Sequence, residues 1–305
     1  MITVKNLSRY YQDFCAIEDI SFSIVEHEII GFLGLNGAGK STTLKILAGL
    51  LPPSSGEVYI DSVNWLEEPE KARQHIGFLP EEPPLYRDMT VYEFLRYVGK
   101  LRNYPSKDID ARMDMVLDMC QLHDRKHQVI QELSLGYKKR VGIAQAIIHK
   151  PKLVILDEPT SGLDPQQMVE LRKVIRSLSK EATVLLSSHN LHEISETCDR
   201  LIILHKGKLL AEGNQSSLAN SLQKDNNTVE CIVDAKDFSK KIQTIPSILT
   251  HSIQHEHSET LEINITSSDP VPVLVRKLVE AQINIHHITP ASSELEKIFL
   301  SLTTV

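Results

Sequence analysis

Gly34-Leu35-Asn36-Gly37-Ala38-Gly39-Lys40-Ser41-Thr42 decides the reading of this chain, because it fits the spacing G-x-x-x-x-G-K-[ST] where an apolar run gives way to a helical one. Upstream, Ile29-Ile30-Gly31-Phe32-Leu33 reads as a fully buried strand. Downstream, Leu44, Ile46, Leu47 and Leu50 belong to a helix stopped by Gly49 and Pro52-Pro53. In such a unit glycines let backbone N–H groups converge on phosphate oxygens, and the helix N-terminus adds partial positive charge. Lys40 is placed to neutralise the β- and γ-phosphates, and Ser41 to ligate Mg²⁺. The unit predicts ATP binding through Gly34, Asn36, Gly37, Ala38, Gly39, Lys40, Ser41 and Thr42. A Gly-rich turn with an exposed lysine is the plain alternative; the flanking strand and helix argue against it.

Further buried strands are legible at 76–79, 153–156, 183–186 and 201–204, separated by helical patterns. That alternation predicts an α/β core with a mostly parallel sheet. Nearer the start, Ile20, Phe22 and Ile24 alternate with Ser21 and Ser23, the period of a half-buried strand. From about 89 to 150 the pattern is helical and opens with Thr90-Val91-Tyr92-Glu93, the spacing of a capping box, so this stretch reads as a helical insertion.

The core is expected to occupy 1–222. Lys224-Asp225-Asn226-Asn227 then forms a polar break, and a different arrangement follows over 228–305. Strands at 228–233, 249–254, 261–266 and 283–288, with helices at 237–244 and 271–281, give the order β-α-β-β-α-β of a small α+β ferredoxin-like domain. A last amphipathic helix over 294–302 would put Leu295, Ile298, Phe299 and Leu302 on one side.

Composition narrows the function classes. A net charge of −7 over 305 residues offers no broad positive field for a nucleic-acid backbone, so nucleic acid is not an expected partner. Cys15, Cys120, Cys198 and Cys231 form neither a C-x-x-C pair nor a disulfide ladder, which fits a reducing cytosol. The apolar runs fall well short of the roughly 20 residues that span a bilayer, so a membrane role is expected to come through a partner.

The strand at 153–156 ends in Asp157-Glu158. This puts Asp157 where a carboxylate can hold Mg²⁺ beside the phosphate loop, and Glu158 where it can orient or deprotonate the attacking water. Alone the pair is weak, because acids often end strands at a solvated edge. Leu133-Ser134-Leu135-Gly136-Tyr137-Lys138-Lys139-Arg140 lies shortly before it and fits L-S-x-G-x-x-x-R. Ser134 and the Gly136 backbone at a helix start can make a second phosphate-binding surface.

With these three motifs in order, residues 1–222 resemble the nucleotide-binding subunit of an ATP-binding cassette (ABC) transporter. The resemblance implies a P-loop NTPase cassette with an N-terminal antiparallel β part and ATP hydrolysis as the activity. It further implies that Ser134 and Gly136 reach across a dimer to the partner's ATP. Ser161-Gly162-Leu163-Asp164 is similar to the family's D-loop, His189 to its switch histidine, and Tyr11 to its adenine-stacking aromatic, with Tyr10 competing for that role. Where the family usually has a Q-loop glutamine this chain has Glu81. A carboxylate still ligates Mg²⁺ but adds negative charge near the γ-phosphate and cannot donate an amide hydrogen bond.

The run Pro80-Glu81-Glu82-Pro83-Pro84-Leu85-Tyr86 is similar to cassettes of exporter-type systems with a small C-terminal domain. The implied partners are a second cassette, in a homodimer or mixed pair, and transmembrane permease subunits holding the chain at the inner face of the cell membrane. Two rival readings remain: a cytosolic ABC ATPase that remodels a soluble complex such as the ribosome, and a nucleotide-gated regulatory subunit with little turnover. His123 and His127, and His251, His255 and His257, lack the acidic or cysteine residues that would complete a metal site.

Overall fold

The computed structural model describes residues 2–61, 63–214, 217–218, 227–235, 238–256 and 260–290, and the chain divides into two compact units, 1–215 and 216–305. The helix expected over 294–302 lies outside the described residues.

In the first unit, the run at 29–33 forms β3 (Ile29–Leu33), buried at every position. It is central in a six-stranded sheet with β6 (Ile76–Leu79), β7 (Leu153–Leu156), β8 (Thr183–Ser188), β9 (Arg200–His205) and β10 (Lys208–Gly213). The order is β10-β9-β3-β8-β7-β6, parallel throughout except for the edge strand β10, so the expected mostly parallel sheet is present. Parallel strands covered on both faces read as continuous apolar runs, which explains why they are legible.

A second, antiparallel sheet joins β2 (Phe14–Ile24), β1 (Ile2–Tyr11), β4 (Ser55–Ile60) and β5 (Val63–Asn64) in that order. Phe22 and Phe32 meet edge to face at 5.4 Å in the core shared by the two sheets.

Helix α1 (Lys40–Leu47) follows β3, and α2 (Pro69–Gln74) precedes β6. Between β6 and β7 lie α3 (Val91–Leu101), α4 (Ile109–Met119) and α5 (Leu135–Ile147). Thr90 and Glu93 form the expected reciprocal capping box on α3. After β7 come α6 (Pro165–Leu178), capped by Asp164 accepting from the Gln167 N–H at 2.9 Å, and α7 (Leu191–Thr197).

The edge of β6 is covered by α5. His149, just past its end, lies 3.0 Å from the Ile76 carbonyl, and Gln145 Nε2 donates to the Phe78 carbonyl at 2.9 Å. The outward backbone groups of an edge strand would otherwise be unsatisfied. Gly77 sits in this contact: a Cβ there would lie 2.0 Å from the Ala146 carbonyl oxygen.

In the second unit β11 (Asn227–Asp234), α8 (Phe238–Ile242), β12 (Ile248–Glu256), β13 (Thr260–Ser267), α9 (Val271–Glu280) and β14 (Ile285–Pro290) follow in the expected order. The sheet order β12-β13-β11-β14 is antiparallel throughout and ferredoxin-like. β14 begins at Ile285 rather than 283, because Gln282 turns the chain with a φ of 58° and Ile283 is buried in the core with Leu274 and Leu278. No helix among the described residues is long and apolar enough to cross a membrane.

Candidate nucleotide site

The loop from β3 to α1 wraps a cleft of about 460 Å³. Gly37 and Gly39 have φ of 81° and 100°, values that L side chains rarely adopt. Asn36, Gly37, Gly39, Lys40, Ser41 and Thr42 line the cleft together with Tyr11, Glu81, Glu158 and His189, residues contributed by five separate parts of the chain. Gly34 and Ala38 lie behind the lining; a Cβ on Gly34 would stand 2.6 Å from the Leu204 carbonyl.

Lys40 is buried, and its Nζ donates to the Gly34 carbonyl at 2.6 Å and the Leu35 carbonyl at 3.3 Å, with Glu158 Oε1 3.9 Å away. Burial lowers its pKa, while Glu158, Asp157 and Glu81 act in the opposite sense. The ammonium is thus held among carbonyls and carboxylates.

Asp157 lies beneath the cleft, 5% exposed. Its Oδ1 accepts from Ser187 Oγ at 2.7 Å and from Ser41 Oγ at 3.4 Å. Glu158 follows in the left-handed region, φ 47°, a conformation that costs a non-glycine residue on the order of 1 kcal/mol or more. The Glu158 N–H donates to Ser187 Oγ at 2.9 Å. Glu158 Oε2 lies 3.0 Å from His189 Nδ1, whose ring is largely open to solvent. A carboxylate aimed from a strained turn at a histidine, beside a buried lysine, is an arrangement suited to holding a water molecule against a terminal phosphate.

Of the two adjacent tyrosines, Tyr11 lines the cleft, with the Arg9 guanidinium 4.8 Å from its ring centroid. Ser134 caps α5 through the Tyr137 N–H, and a Cβ on Gly136 would meet Gln167 Oε1 at 2.7 Å. Neither residue lines the cleft, nor does Asp164. Sequence reading missed Phe14, which pairs with Tyr11 across the β1–β2 turn and also lines the cleft, and Ser187, which joins Asp157 to the Glu158 backbone. The adjacency of Phe14 to Tyr11 across a two-residue turn was the available signal. Ser187 gave none, since it reads only as the end of a strand.

Fold and cleft together define a P-loop nucleoside triphosphatase. Residues 17–161 match the family model described as ABC transporter. An uncharacterised ABC transporter ATP-binding protein of Bacillus subtilis, YdbJ, is 37% identical over 290 residues, which cover 94% of this chain and 90% of that one. The linearmycin resistance ATP-binding protein LnrL of the same organism is 33% identical over 312 residues, 99% of this chain and 98% of its own. Among solved structures, the dimeric post-hydrolysis state of the ATP-binding cassette MJ0796 bound to ADP and Pi superposes with a TM-score of 0.63 at 26% identity, covering 70% of this chain and 98% of that one. The chain belongs to the ATP-binding subunits of ABC transporters, an ATPase family whose cassettes bind ATP and dimerise.

Proposed function

We propose that this subunit works as one half of a head-to-tail pair of cassettes. Two ATP molecules would be clamped there, each between one protomer's phosphate loop and Ser134 and Gly136 of the other. Asp164, at the start of α6, would face the partner across the same interface. ATP closes the pair; hydrolysis releases it.

In this reading Tyr11 stacks on the adenine, Lys40 and the backbone at 34–42 hold the phosphates, Glu158 is the general base and His189 orients the water. Catalysis is mainly positioning and charge. The observation that carries the reading is the convergence of Lys40, Glu158 and His189 on one cleft, with Glu158 within 3.9 Å of Lys40 and 3.0 Å of His189.

Mg²⁺ fits the residues present. Ser41 Oγ and Asp157 Oδ1, 3.4 Å apart, are hard oxygen donors, and an octahedral Mg²⁺ needs only one or two from protein when phosphates and water fill the rest. Glu81 supplies a third oxygen donor on the cleft wall. The ion would neutralise charge on the phosphates.

Dimer closure would be passed to separate permease subunits by segment 81–88 and helices α3 to α5, with the chain held at the inner face of the cell membrane. The similarity to a resistance protein supports export over import. The test is a pull-down of the tagged Glu158→Gln variant with MgATP from detergent-solubilised native membranes. Co-purification of a multi-spanning protein is the expected result, whereas recovery of ribosomes or only soluble proteins would overturn the transporter assignment.

A further inference from the structure

Lys139 lies in the second turn of α5 and is only 2% exposed. A buried ammonium is costly unless its protons are bonded. Nζ donates to the Glu81 carbonyl at 2.5 Å and to the Glu158 carbonyl at 3.2 Å. Both bonds go to main-chain oxygens. One belongs to the loop after β6 and the other to the residue that follows Asp157.

The Glu158 backbone is held at each of its polar atoms. Its N–H is bonded to Ser187, and its carbonyl accepts from Lys139 and, at 3.2 Å, from the Ser161 N–H. These bonds fix a residue whose φ is 47° and whose side chain must keep one direction to reach both Lys40 and His189. Burial lowers the Lys139 pKa, and the surrounding carboxylates of Glu81, Asp157, Glu158 and Glu82 oppose that shift. The same ammonium therefore sits within the field of the carboxylate that replaces an amide at position 81.

We propose that Lys139 is a positioning residue for hydrolysis: it ties the Glu81 loop to the Glu158 backbone and carries the counter-charge that makes a carboxylate at position 81 workable. Displacement of the loop is then felt at Glu158 through one side chain. The start of the same helix bears the Ser134 and Gly136 surface. The inference rests on the reading of Glu158 as general base.

The test uses the purified full chain and compares Lys139→Met, Lys139→Gln, the double variant Glu81→Gln/Lys139→Gln, and Glu158→Gln. The readouts are kcat, KM, ATP affinity and thermal midpoint. Lys139→Met is expected to lower kcat about tenfold or more with ATP affinity within about threefold of the parent. Lys139→Gln is expected to lose about fivefold, and adding Glu81→Gln to bring kcat back to within about twofold, a coupling that a purely structural lysine would not give. Wild-type kcat in Lys139→Met with Glu158→Gln inactive would overturn this proposal alone, as would a loss in Lys139→Gln that Glu81→Gln leaves unrepaired. Full turnover by Glu158→Gln would overturn it together with the assigned base.

Discussion

His189 Nδ1 lies 3.0 Å from Glu158 Oε2, across 31 residues of chain, at the ends of the neighbouring strands β8 and β7. The contact fixes the direction of the carboxylate and leaves most of the imidazole in solvent. The expected consequence of His189→Ala is a fall in kcat of about 10- to 100-fold with ATP affinity within about threefold, because the role proposed for the histidine is on the attacking water and not on the bound nucleotide's ground state. Steady-state ATPase assays paired with equilibrium nucleotide binding check this. Equal losses in affinity and kcat would assign His189 to binding instead.

Tyr11 and Phe14 pair across the β1–β2 turn and both line the cleft, while the neighbouring Tyr10 does not. Stacking of a base on an aromatic ring contributes about 1–3 kcal/mol. Tyr11→Ala should therefore raise the ATP Kd about tenfold, and Tyr10→Ala should leave it within about twofold. Fluorescent-nucleotide titrations read both. A larger effect at position 10 would reverse the assignment.

Gly77 is closed in by backbone rather than by flexible side chains. Gly77→Ala would bring a methyl to 2.0 Å from the Ala146 carbonyl, so strand β6 or helix α5 must move. A destabilisation of about 2 kcal/mol or more is expected, readable as a lower midpoint in chemical denaturation. Gly37→Ala meets nothing within 4 Å, and its effect should come only from its φ of 81°.

His149 is pushed down to about 4, first by burial and then by the Arg102 guanidinium. The folded pKa lies below the ordinary 6.5, so the unfolded chain takes up the proton first as pH falls. The contribution of neutral His149 is present in full above about 6.5 and is lost between there and about 4, on the order of 3 kcal/mol. Thermal melts across this range should fall more steeply for the parent than for His149→Gln, whose amide can keep the bond to the Ile76 carbonyl. Parallel curves would refute the role.

The parallel strands could be read directly from the chain because burial on both faces makes each a continuous apolar run; the expected spans 76–79 and 153–156 coincide with β6 and β7. The phosphate loop was equally legible, since its glycines and lysine are fixed by backbone geometry at one short stretch. What the chain did not disclose were contacts made across long separations by residues with no special pattern. Ser187 reads as any strand end, yet bonds Asp157 and the Glu158 backbone. Lys139 reads as one of three consecutive basic residues on a helix, yet only it and Arg140 are buried. β14 starts two residues beyond the expected 283, because a turn at Gln282 with positive φ leaves no mark in a stretch that alternates polar and apolar residues.

In the proposed cycle the carboxylate of Glu158 drives hydrolysis, while the phosphate loop and Tyr11 hold the nucleotide. The measurement is kcat and ATP affinity for Glu158→Gln beside Lys40→Ala, in the full chain with Mg²⁺. Glu158→Gln is expected to bind ATP within about threefold of the parent and to lose at least about 100-fold in kcat, whereas Lys40→Ala is expected to lose both. Turnover by Glu158→Gln within a few-fold of the parent would remove Glu158 from the role of general base.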